Sequence, residues 1–318
     1  MKKKLNIFTP IFYDVPSFMV LRKNIYQIIN SSEYSIHFYA IDDTAGKDSE
    51  IQKIENEEDI SIITPPFNLG HQRALVFGLR KITPLLYPDE LIVTLDSDGE
   101  DRPEDLPSLL GKLNSRGGFV LAKRTKRQES PLFKFLYINF KFLFYTLTGT
   151  VIKSGNYMTY RVSSIKEIIH HPYFNLCYSS VFLGLRIKTE YVPCERGHRY
   201  LGESKMNTTN LIAHGIRMLM PFIEKIATRF LIFFSGLFIF AFIASAISGF
   251  LFSFTDVYVP KSLLITLLGT LIISSLSLGN LIVLFTVSAQ SMKDSFNFID
   301  HKNMEKPNND YSERKKAS

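Results

Sequence analysis

The stretch LIVTLDSDGEDRPEDL, residues 91–106, decides how this chain is read. Its first five residues are apolar or β-branched, the mark of a strand buried on both faces. Carboxylates then arrive abruptly: Asp96, Asp98, Glu100, Asp101, Glu104 and Asp105. A buried strand has no use for charge, so the switch marks where the chain emerges into a cleft. Side chains two apart on extended backbone point the same way, so Asp96 and Asp98 converge. Like charges held together need a proton or a cation between them, and a hard divalent ion that also grips phosphate oxygens fits best. Taken alone, the cluster reads equally well as a solvated loop capping a helix that begins near Pro103.

Outward from this stretch, short apolar strands alternate with helical patterns. Residues 5–9, 35–41, 60–64, 90–95 and 118–122 read as strands. Residues 16–30, 48–56, 69–81 and 104–114 read as helices. Such alternation implies right-handed crossovers and an α/β fold with a largely parallel sheet. Ligands bind beyond the carboxyl ends of such strands, and three of those ends carry acids: Asp14, the pair Asp42 and Asp43, and Asp96 with Asp98.

The chain has 318 residues, a formal charge of +7 and 46% hydrophobic residues. Residues 1–225 are mixed and charged like a soluble domain. Residues 230–254 and 262–290 are apolar throughout, and each is long enough to cross about 30 Å of hydrocarbon. A helix apolar on all sides for that length belongs in a membrane rather than in a soluble core. Lys225 and Arg229 precede the first span, while Lys293, Lys302, Lys306, Arg314, Lys315 and Lys316 follow the second. This bias predicts a multi-pass protein of the inner (cytoplasmic) membrane with both termini in the cytoplasm. The expected division is a cytoplasmic domain over 1–225, an anchor over 226–292 and a polar, unstructured tail over 293–318.

Residues 130–148 and 211–226 combine aromatic and aliphatic side chains with a few cations, as interfacial helices do. Ala244, Ser245, Ser248 and Gly249 let helices approach, within one chain or between copies in a homo-oligomer. The apolar signal-peptide core is missing after Lys2–Lys4. Two cysteines without metal-ligand spacing, Cys177 and Cys194, read as reduced thiols. The basic excess suits an anionic membrane surface and phosphorylated ligands; no basic stripe with stacking aromatics points to nucleic acid.

Four motifs in order then resemble glycosyltransferase family 2. They are Asp42-Asp43-Thr-Ala-Gly-Lys-Asp48, Asn68-Leu-Gly70 with Ala74 and Gly78, Asp96-Ser-Asp98, and Arg199-Tyr-Leu-Gly202-Glu203-Ser204-Lys205. The last is similar to the Arg-x-x-Gly-Glu-Ser-Lys motif of the polyprenyl-phosphate branch, which includes dolichol-phosphate mannose synthases. The resemblance covers residues 5–225 and implies a GT-A domain that uses a UDP- or GDP-linked sugar. It further implies that Pro10, Asp14, Asp42, Asp43, Asn68 and Asp96 bind the nucleotide-sugar, and that Asp96 and Asp98 hold Mg²⁺ or Mn²⁺. Asp14 stands where the family usually has Glu. Arg199, Ser204 and Lys205 would meet the acceptor phosphate. Arg124 and Arg127 could serve there too, or lie in a solvated basic loop. Asp42 and Asp43 could instead initiate a turn with Thr44 and Gly46. The lone histidines show no metal spacing, and only His198 is given a phosphate contact.

The acceptor divides two functional readings. A hydroxyl acceptor needs a base, and residues 175–185 (NLCYSSVFLGL) supply no carboxylate there. A lipid monophosphate needs none, because its second pKa is about 6 and it is already ionised. The preferred reading is inverting transfer to polyprenyl phosphate on the cytoplasmic face. The alternative is transfer to a sugar hydroxyl in lipid-linked oligosaccharide or surface-polysaccharide synthesis. The chain has no Trp, which excludes the Gln-x-x-Arg-Trp signature of processive synthases. A nucleotide-sugar-binding scaffold without turnover is the reading from outside enzymology.

Overall fold

A computed structural model describes residues 2–116, 118–125, 131–152, 155–202, 208–255 and 260–304. The chain forms two compact units, residues 1–221 and 222–318.

The first unit is built on seven strands: β1 (Lys3–Ile11), β2 (Tyr34–Asp42), β3 (Ile60–Ile63), β4 (Leu91–Thr94), β5 (Phe119–Arg124), β6 (Met158–Arg161) and β7 (Thr189–Cys194). They lie in the order β3-β2-β1-β4-β6-β5-β7. Only β6 runs antiparallel to its neighbours, so the sheet is mostly parallel as the alternation implied. The helices of this unit are α1 (Val15–Ile28), α2 (His71–Ile82), α3 (Leu106–Arg116), α4 (Pro131–Thr148), α5 (Val162–Lys166), α6 (Tyr178–Gly184) and α7 (Thr208–Leu219).

Both faces of the sheet are covered, which is why its strands read as unbroken apolar runs. On one face Ile7 and Val93 pack under Phe18, Leu21 and Ile25 of α1 and Leu109 and Leu113 of α3. On the other, Phe8, Ile41 and Leu121 pack under Ala74, Leu75 and Leu79 of α2 and Tyr178 and Phe182 of α6. Gly78 lets α2 lie close on β2, since a Cβ there would fall 2.6 Å from Ile41 Cγ1. Gly78 is thus a packing residue.

The chain steps outward from β1 to β2 to β3, then returns to the other side of β1 for β4. The carboxyl ends of β1 and β4 therefore flank the switch point, where open α/β sheets leave a crevice for ligands. Asp14 and the Asp96–Asp98 pair follow these two ends.

Some local expectations shift. Residues 49–54 form a tight 3₁₀ segment capped by the Asp48 side chain, which accepts from Glu50 N, instead of an α-helix. Strands β6 and β7 were not foreseen. β6 has only four residues, and β7 carries Glu190 and Pro193, tolerable because it is an edge strand.

In the second unit, α8 (Ile223–Phe254) and α9 (Lys261–Met304) are joined by a short connection and pack along each other through Ala241, Ser248, Leu267 and Ser274. Many of the other apolar side chains face outward: Phe240 is 68% exposed and Ile265 71%. By length and composition, the helical stretches Leu211–Phe254 and Lys261–Leu284 can cross a membrane. Helix α9 continues to Met304, so the polar segment after Phe296 is helical at least that far rather than unstructured.

Candidate active site

The loop after β4 and the segment after β7 clasp each other. Tyr200 N donates to Asp98 O at 2.8 Å and Gly197 N donates to Glu100 O at 2.9 Å. Gly99 adopts φ +91°, which only glycine enters freely. A Cβ at Gly197 would overlap the Gly99 carbonyl oxygen and stand 2.9 Å from Arg102 Cγ. Backbone lies on backbone here, with no room for a side chain. Arg196 pairs with Glu100, and Asp101 bridges to Arg196 as a short antiparallel contact.

This clasp brings Arg199 to the acids. Its Nη1 lies 2.7 Å from Asp98 Oδ2 and its Nη2 lies 3.7 Å from Asp14 Oδ2. Three residues from three remote parts of the sequence thus meet at Arg199. Asp98 Oδ1 accepts from Glu100 N at 2.9 Å. Burial, then the charges of Asp96 and Glu100, push the Asp98 carboxyl up to about 6 against the pull of Arg199.

Asp96 has a different set of partners. Its Oδ1 lies 2.8 Å from His71 Nε2 and accepts from Asn156 Nδ2 at 3.1 Å. Its backbone N–H donates to Asp101 Oδ2 at 3.1 Å. Burial opposes the Asp96 charge, yet His71 and its hydrogen bond hold the carboxyl well below the usual range. Burial likewise works against a proton on His71, and Asp96, with help from Asp98 and Asp101, more than offsets it, raising the imidazole to about 9. Asp101 is buried and pairs with Arg124 Nη2 at 2.9 Å. Burial and Asp96 push its carboxyl to about 6 despite that pair.

The other sequence candidates fall as follows. Asp42 is fully buried, with Oδ1 accepting from Thr44 N and Thr44 Oγ1 and Oδ2 accepting from Gly46 N. It builds the turn in which Ala45 and Gly46 take positive φ, so the turn-initiating role is the one its contacts fill. Asp43 is nearly as buried; its Oδ1 accepts from Leu69 N at 2.8 Å, while its carbonyl accepts from Asn68 Nδ2 at 2.8 Å. Together they fix the loop that starts α2 and carries His71. Pro10 is the second-last residue of β1, and its carbonyl accepts from Ser97 Oγ at 3.2 Å. Arg124 is held on Asp101, not in a solvated basic loop. Arg127, Ser204 and Lys205 lie outside the described residues.

Sequence reasoning missed His71, Asn156 and Asp101. His71 opens α2 directly after Gly70, whose φ is +77°, and that position beside a family motif was its only signal.

Family comparison settles the class. The model for glycosyl transferase family 2 matches residues 11–181, more than half of the chain. The chain belongs to that family. Family membership makes it a glycosyltransferase on an α/β domain with a mostly parallel sheet. Among solved structures, it is similar to glucosyl-3-phosphoglycerate synthase from Mycobacterium tuberculosis in complex with Mn²⁺, UDP and glucosyl-3-phosphoglycerate. That match has 13% identity, a TM-score of 0.46, and covers 70% of this chain and 80% of that one. Mannosyl-3-phosphoglycerate synthase from Rubrobacter xylanophilus is matched at 11% identity with a TM-score of 0.49, over 71% of this chain and 74% of that one.

The acids of this transferase fit a metal of a particular kind. Among the described residues, no three His, Cys, Asp or Glu side chains gather into a cage. Asp96 and Asp98, two residues apart, offer two carboxylates with different partners. That is the donor set of a Mg²⁺-like ion, which takes one or two carboxylates and completes its shell with phosphate oxygens and water.

Proposed function

We propose that this transferase moves a sugar from a UDP- or GDP-linked donor to polyprenyl phosphate at the cytoplasmic face of the inner membrane, with inversion. The observation that carries the proposal is the position of Arg199, 2.7 Å from Asp98. A guanidinium beside the donor acids suits an anionic acceptor, which it can hold by two donors at once. The start of α6 bonds to Gln72 through Ser179 N and Cys177 Sγ. Over residues 175–185 this region presents hydroxyls and a thiol but no carboxylate to serve as a base. A sugar hydroxyl would need one; a phosphate dianion does not.

In this reading Asp96 and Asp98 hold Mg²⁺ or Mn²⁺, which would neutralise the charge of the departing nucleoside diphosphate. A lipid phosphate oxygen, aligned by Arg199, bonds to the anomeric carbon from the face opposite the leaving group. The anomeric C–O bond to the diphosphate breaks, and its electron pair leaves with the nucleotide. No proton needs to move.

The apolar helices support a membrane setting, with both termini on the cytoplasmic side by the charge of their flanks. Exposed apolar side chains on α4 (Ile138, Phe142, Leu143) and on α7 (Ile212, Ile216) suit an interfacial position, where a polyprenyl phosphate headgroup resides. The test is a panel of labelled nucleotide-sugars incubated with the full-length protein and undecaprenyl phosphate. One donor should yield a lipid-linked monosaccharide labile to mild acid. Label appearing only in acid-stable products on sugar hydroxyls would overturn the acceptor.

A further inference from the structure

A run of side chains behind Asp96 links it to the start of α6. Ser179 N donates to Gln72 Oε1 at 3.0 Å, and Gln72 Nε2 donates to Asn156 Oδ1. Asn156 Nδ2 then donates to Asp96 Oδ1 at 3.1 Å. His71 Nε2 lies 2.8 Å from that same oxygen and 2.7 Å from Asn156 Nδ2, so the three groups form one cluster. Asn156 is 8% exposed, its backbone carbonyl accepts from Thr94 Oγ1 at 2.6 Å, and its side-chain amide is held between Gln72 and Asp96. Thr94 in turn lies 3.1 Å from the Tyr178 hydroxyl of α6. Asn156 and His71 therefore both reach one Asp96 oxygen, Asn156 from two residues before β6 and His71 from the first turn of α2. Apart from Asp96 itself, none of these residues is among those quoted for the four sequence motifs.

Donors fastened to a ligating carboxylate fix its orientation and leave its other oxygen for the ion. From this geometry we propose that His71 and Asn156 are positioning residues, which aim Asp96 at the metal–diphosphate, and that Gln72 ties that aim to α6. The inference rests on the reading that Asp96 and Asp98 hold the metal. Adjacent residues 71 and 72 at the start of α2 then do separate work: His71 touches Asp96 directly, whereas Gln72 acts through Asn156. The α6 start would be registered to the donor site through this chain alone among the described contacts of Gln72.

The decisive measurement is Mn²⁺ binding to the full-length protein in the presence of UDP, read by electron paramagnetic resonance of free Mn²⁺. Asn156→Ala and His71→Ala should each weaken Mn²⁺ binding by about 10–100-fold, with Gln72→Ala at the lower end. His71→Gln keeps an N–H donor and should recover most of the loss. Binding of UDP without metal should be unchanged in all four, which separates positioning from misfolding. Asp98→Asn serves as reference. If Asp98→Asn binds Mn²⁺ as tightly as the wild type, the metal site itself is misplaced. If Asp98→Asn loses Mn²⁺ while Asn156→Ala and His71→Ala retain wild-type affinity, the positioning role is refuted and the metal site stands. Equal loss in His71→Gln and His71→Ala would also refute it, since the donor would not be what matters.

Discussion

Gly197→Ala adds a single methyl group where the two loops of the site cross. Its Cβ would overlap the Gly99 carbonyl oxygen and reach within 2.9 Å of Arg102 Cγ. The Arg102 side chain can yield, but Gly99 O cannot, because Gly99 sits at φ +91° between Asp98 and the Glu100 amide. The loops must separate. Overpacking of this kind costs about 1–3 kcal/mol. At about 2–4 °C per kcal/mol for a domain of this size, the melting temperature should fall by about 2–12 °C. Activity should fall further than stability, because the clasp sets the 2.7 Å pair of Arg199 and Asp98. Gly111→Ala is the control: it lies in α3 with open space at the Cβ position and should gain about 0.5–1 kcal/mol. Differential scanning fluorimetry of detergent-solubilised protein with a parallel transfer assay reads both. A Gly197→Ala variant with wild-type melting temperature and rate would refute the idea that this crossing holds the site together.

Arg199→Ala should raise the KM for the lipid acceptor by at least tenfold, and it should tighten Mn²⁺ binding because a competitor leaves Asp98; a change in donor KM alone would place Arg199 on the donor. Asp101 titrates with a raised pKa, about 6 against 3.8, so its stabilising contribution is full below pH 4 and is lost as the pH rises through 6. The loss is on the order of 3 kcal/mol. The melting temperature of Asp101→Asn relative to wild type should therefore climb between pH 4 and 7, and parallel pH profiles would contradict the assignment. Phe142→Glu, on the exposed face of α4, should raise the apparent KM for polyprenyl phosphate in liposomes several-fold without altering Mn²⁺–UDP binding; an unchanged lipid KM would remove α4 from the interface.

The first five strands and the switch point were legible because apolar period and strand–helix alternation are local properties of the chain. Asp96, Asp98, Asp14 and Arg199 were legible as types at expected spacings, and the fold unites them. Asn156 was not, since a single amide after Gly155 looks like any turn residue until β6 carries it back beside β4. His71 gave no periodic signal, and its partner lies 25 residues away. Arg124 was read as a phosphate ligand because the basic run around it hid its actual counterion, the buried Asp101. β7 escaped notice because Glu190 and Pro193 break an apolar run, which only an edge position permits.

The charge arrangement explains why acids and phosphates can share this cleft. Asp14, Asp96, Asp98, Glu100 and Asp101 face Arg124, Arg196, Arg199 and His71, five acids against four cations. Every one of those four cations is already paired to an acid, so among these described residues a diphosphate brought in alone would meet no spare positive charge. In the proposed reading, a divalent ion held by Asp96 and Asp98 would reverse that balance and would weaken the hold of Asp98 on Arg199. Arg199 would then remain beside Asp14 as a cation for a second phosphate, so that filling the donor subsite would supply the charge an anionic acceptor needs.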